Sequence, residues 1–201
     1  MRRRQITFLF TGLIAGLISV TLGALSIVFL AYGVGPLFFV AVVAGIAVTR
    51  AWHYVQVSFV RCVAGLFLTT ITYLASLVAF SGVAGFSPDW FGFGRSAQIV
   101  DFRADILMGL VAAGVVGASG IAVFTALITR KWSTGLLLRL ILAGLGTIVV
   151  TLIANQPLHS YWSFFGILFP LGNALFCWLV GWQIWLNPEA TNDVVATAPT
   201  A

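Results

Sequence analysis

Apolar residues run along this chain in blocks too long and too uniform for alternating strands or one-sided helices. From Ile6 to Thr49 there are 44 residues without a charge. A single helix of that length would measure about 66 Å, twice the ~30 Å hydrocarbon core of a bilayer, so the block holds two crossings and a turn. Tyr32-Gly33-Val34-Gly35-Pro36 has the stronger turn chemistry, but a turn there leaves a short second crossing. A turn near Thr21–Ser26 gives two full spans, 6–26 and 29–49, with Pro36 as a kink inside the second. Four further blocks predict helices over 57–80, 106–129, 135–154 and 161–185. Asp105 stands just before the fourth of the six, where a carboxylate can cap free N–H groups and oppose the helix dipole. The pattern predicts an all-α bundle of six transmembrane helices forming one domain over 1–186. The polar stretch 81–105 is then an extracytoplasmic loop, and the Asn-, Thr-, Ala- and Pro-rich tail 187–201 a disordered cytoplasmic segment.

Composition sharpens this picture. Of 201 residues, 61% are hydrophobic and 7% charged, and the mean hydropathy is +1.09. Soluble domains carry about 25% charged residues, so a water-soluble globule is excluded. The net charge of +5 does not point to nucleic acid, because the basic residues flank apolar blocks instead of forming one patch. With the N-terminus inside, Arg2, Arg3, Arg4, Arg50, Arg61, Arg130, Lys131 and Arg139 fall on the cytoplasmic side, leaving Arg95 and Arg103 outside. The positive-inside rule therefore predicts six spans with both termini cytoplasmic. Trp52, Trp132, Trp182 and Trp185 then mark one interface, and Trp90, Tyr161 and Trp162 the other. The apolar run that begins at Ile6 exceeds the ~7–15 residues of a cleavable signal core and reads as a first span.

Small residues recur at helical spacing. Gly12 and Gly16 form a GxxxG pair, and Gly109, Ala113 and Gly117 follow each other at i, i+4 and i+8. Such strips let helix backbones approach closely inside one bundle, or dock a partner protein or a second copy of the chain. Ala64-Gly65-Leu66 recurs as Ala143-Gly144-Leu145, a weak repeat in an alphabet so rich in these residues. Cys62 and Cys177 lie inside apolar runs and read as small buried hydrophobes.

Candidate chemistry is sparse. Gly117-Ala118-Ser119-Gly120 resembles the GxSG around the nucleophile of rhomboid-type intramembrane proteases, over these four residues alone. Such an enzyme needs a base within reach, and His53 and His159 are both expected at membrane edges. Ser119 reads better as filling a close helix contact. No Asp or Glu falls in any span, which disfavours ion-coupled transport, and neither a metal site nor another cofactor site is predicted. Asn173 follows Pro170 by three residues in the sixth span, where the proline leaves the Gly166 carbonyl without its helical partner. Asn173 either repairs that break or lines a cavity. With Asn155 and His159 in the turn that leads into the sixth span and Trp90 in the long loop, it forms the candidate ligand-binding set. Arg61 and Arg139, each about one turn inside a helix end, either snorkel to the interface or flank a shallow site for a lipid phosphate or other anion.

In size and span number the chain resembles substrate-binding membrane subunits of vitamin uptake transporters and small acid-stress membrane proteins of bacteria, although none of their motifs is present. The expectation is a non-enzymatic multi-pass protein of a cell membrane, read as the bacterial inner membrane, embedded in small-solute transport with the lipid bilayer as its surroundings. The alternative is a structural or accessory subunit without cargo of its own. An intramembrane enzyme ranks last, because an acid–base pair is missing.

Overall fold

The computed structural model describes residues 2–25, 27–51, 55, 58–84, 104–155 and 161–186. They form six helices: α1 (Arg2–Leu25), α2 (Ile27–Thr49), α3 (Phe59–Ala84), α4 (Ala104–Thr129), α5 (Thr134–Asn155) and α6 (Tyr161–Trp185). Five are long and apolar enough to cross a membrane, and the described apolar part of α2 is the shorter Val34–Thr49. α1 ends at Leu25 and α2 begins at Ile27, so the expected turn position at Ser26 lies outside the described residues, and Pro36 lies inside α2.

Several helices outrun their apolar blocks. α1 begins at Arg2, α3 continues to Ala84 and α5 runs through Asn155. Residues 81–84 and 104–105 of the stretch expected as loop are therefore helical, so that Asp105 lies within the first turn of α4, and Asn155 ends a helix instead of opening a turn. Charged and polar residues set how deep a helix sits in a membrane, but they do not stop it, whereas Pro88 and Pro157 would.

Neighbouring helices run antiparallel in a closed ring, α1 to α6, with α6 also touching α2 and α4. Among the five long apolar helices, α6 is the most enclosed, with 44% of its apolar window buried, and α3 the least, with 17%. The core is built from Phe8, Phe38, Val42, Ile46, Phe124, Leu140, Val180 and Ile184, with Phe38 and Phe39 set edge-on to Phe124. Large apolar side chains also point outward from α1 to α5, among them Phe10, Val48, Val60, Phe67, Val78, Met108, Leu142 and Ile153. That much outward apolar surface suits lipid and not water.

Two helix ends repeat a device. α2 ends in Thr49-Arg50 and α4 in Thr129-Arg130, and both arginines adopt the left-handed conformation, φ 55°. Each preceding threonine is buried and donates its hydroxyl back one turn, Thr49 to Gly45 O at 2.6 Å and Thr129 to Thr125 O at 2.7 Å. The left-handed residue ends the helix and turns the chain toward the next one. Ser58 and Ser133 then start α3 and α5 by accepting the N–H groups of Arg61 at 3.3 Å and Leu136 at 3.1 Å.

Candidate functional site

Polar chemistry gathers on α6. Pro170 opens the backbone ladder in mid-helix, and Asn173 nearly one turn on is 8% exposed, with no hydrogen-bond partner for its Nδ2. α1 closes one flank. A Cβ on Gly12 would collide with the Asn173 carbonyl oxygen and stand 2.8 Å from the Cys177 Cβ, and one on Gly16 would strike the Pro170 Cα. Only a residue without a side chain lets backbones meet this closely, so the GxxxG pair is the seam that holds α1 on the Pro170–Cys177 stretch of α6.

Two further buried polar atoms face the same stretch. The Tyr73 ring of α3 lies 6.3 Å from the Phe169 ring, and its hydroxyl has no partner. On α5, Gly144 approaches Phe176 and Gly172 approaches Thr147, which sets the antiparallel register. Thr151 lies one turn beyond Thr147, level with Phe169; it is fully buried and its Oγ1 is unpartnered. Most other buried hydroxyls are satisfied within their own helices, as Ser19 by Ala15 O, Thr125 by Ile121 O and Thr147 by Ala143 O. Tyr73, Thr151 and Asn173 therefore stand out as three buried neutral groups on α3, α5 and α6 near the level of Pro170.

Of the expected ligand-binding set, Asn173 alone has a described side chain. His159 and Trp90 lie outside the described residues, as does His53, and only the backbone of Asn155 is described. Tyr73 and Thr151 were missed, because nothing in a tyrosine or threonine within an apolar block says which way it faces.

Arg61 and Arg139 stand at the same end of the bundle but in different surroundings. Arg61 lines a cleft of about 20 Å³ with Phe39, Val42, Ile46, Cys62 and Phe124. That volume suits about one water molecule. The Arg139 guanidinium lies 4.6 Å over the Trp182 ring, and Arg4 lies 4.3 Å over Trp185. Cys177 is buried and Cys62 half-buried, and both thiols are free. No group of three potential metal ligands stands together among the described residues.

The small-residue strip of α4 meets α3 off its expected line. Gly109 is buried and Ala113 partly so, while a Cβ on Gly117 would meet only the Ser76 Oγ at 3.3 Å. The tightest approach on this helix is Gly120 against the Thr72 side chain. Ser119 does not fill the close contact; its hydroxyl donates to Val115 O at 2.8 Å on a more open face. The match to the protease motif thus reflects a packing glycine beside a self-satisfied serine. No family model, curated protein or solved structure matches the chain.

Proposed function

We propose that this chain is a non-enzymatic, six-span protein of a cell membrane, both termini cytoplasmic, that serves as an embedded component of small-solute transport. The bacterial inner membrane is the setting that best suits its size and basic-residue pattern. The observation that carries the transport reading is the set of unpartnered Tyr73 hydroxyl, Thr151 hydroxyl and Asn173 amide near the level of Pro170 in α6. Each buried polar group without a partner costs about 1–3 kcal/mol, a cost that a bound polar molecule removes. All three are neutral, and no Asp or Glu occurs between residues 106 and 188 or before residue 89. The solute class that fits is small, uncharged and able to accept hydrogen bonds.

The test is Asn173→Leu, purified in mild detergent beside the wild type, with mass spectrometry of co-purifying small molecules. A neutral compound should be retained by the wild type and depleted in the variant at equal protein yield. Equal retention, or none in either, rejects the reading. A second reading, an accessory subunit without cargo, draws on the direct seating of α1 on the α6 backbone through Gly12 and Gly16. It predicts a co-purifying membrane protein whose recovery Asn173→Leu leaves unchanged.

A further inference from the structure

The two arginine–tryptophan contacts share one face of α6. At 100° per residue, Pro170, Ala174, Cys177 and Gly181, which meet Gly12, Gly16 and Phe8 of α1, fall within about 60° of one another. Gly172 and Phe176, which meet α5, lie on the far side of the helix. Trp178, Trp182 and Trp185 occupy the strip between, partly buried, with the Trp178 and Trp182 rings 5.5 Å apart. Arg4 reaches this strip from α1 and Arg139 reaches it from α5. Each arginine heads a stripe at four-residue spacing along the α6-facing side of its helix. On α1 the stripe is Arg4, Phe8, Gly12 and Gly16; on α5 it is Arg139, Ala143, Thr147 and Thr151. The result is a groove with an indole floor and a guanidinium on each wall, at the polar end of three apolar helices.

We propose that this groove binds the headgroup phosphate of an anionic phospholipid. Stacking on an indole occupies the face of a guanidinium and leaves its N–H edge free to donate to phosphate oxygens in pairs. Neither arginine has an acidic partner among the described residues, and indoles at this depth sit where headgroups lie. A juxtamembrane arginine pair at an anionic leaflet gains from the surface charge as well as from the contact. The site is separate from the polar groups near Pro170 and does not depend on the transport reading.

The test compares thermal midpoints of the full chain in phosphatidylcholine nanodiscs and in nanodiscs containing phosphatidylglycerol. The anionic lipid should raise the midpoint by roughly 4–8 °C for two arginine contacts in a chain this size. Arg4→Gln with Arg139→Gln should abolish the rise. Arg130→Gln, at the same end and without an indole beneath it, should keep it. Equal loss in Arg130→Gln would mean a diffuse basic surface and overturn the proposal. So would an equal rise with inorganic phosphate in phosphatidylcholine discs, which would mark a soluble-anion site. If the double variant does not fold, native mass spectrometry of the wild type decides. Several-fold retention of phosphatidylglycerol over phosphatidylcholine supports the groove, and no preference rejects it.

Discussion

At the scale of single residues, glycine positions divide sharply by what a methyl group would meet. Gly120 faces the Thr72 side chain with no room for a Cβ, whereas Gly146 has open space on every side. Gly120→Ala should cost about 1–3 kcal/mol through forced separation of α3 and α4. Gly146→Ala should be neutral or stabilising by up to about 1 kcal/mol, because alanine favours helix and meets nothing. Thermal midpoints in detergent, or the fraction surviving heating by size-exclusion chromatography, separate the two. The spacing of Gly12 and Gly16 is visible in the sequence, but the surface they touch is not. The importance of Gly120 was hidden because each small residue in Gly117-Ala118-Ser119-Gly120 is equally able to face a neighbour. Only the azimuth of the helix, set by tertiary packing, chooses among them.

Helices as elements are more legible than their contacts. Uninterrupted apolar runs locate all six, because a membrane core demands length and apolarity before anything else. Ends are read less well, since a helix extends past its apolar part until something stops or caps it. The capping serines illustrate this. Ser58 and Ser133 are ordinary polar residues in the sequence, yet each accepts the N–H that its helix leaves open. Ser133→Ala should lower stability by about 1 kcal/mol and Ser133→Asp should retain it, because the carboxylate also accepts this bond and suits the helix dipole. α2 and α4 do end where their apolar blocks end, at Thr49 and Thr129, but the left-handed conformation of Arg50 and Arg130 was not legible, since that position usually carries glycine or asparagine.

For the whole molecule, it is the outer surface that differs from a soluble protein: large apolar side chains point outward, while Ser19, Thr125, Thr147, Thr151 and Asn173 are buried beside an apolar core. Antiparallel neighbours bring Arg3, Arg4, Arg50, Arg61, Arg130, Lys131 and Arg139 to one end of the ring. A bundle carrying its cations at one end and embedded by its apolar flanks has two orientations, and the positive-inside rule favours the one with that end in the cytoplasm. The shorter described apolar part of α2 is the place where a six-span arrangement is most open to challenge. If α2 did not cross, α1 and the end of α4 would open on opposite sides, and Arg3 and Arg4 would be parted from Arg130 and Lys131 by the membrane. Reporter fusions discriminate directly. A fusion after Lys131 and one after Leu186 should both report the cytoplasm, and one at Arg95 the opposite compartment. A cytoplasmic signal at Arg95 rejects the six-span orientation. A fusion at Ala51 that reports the compartment opposite to one at the N-terminus would show that α2 does not cross on its own.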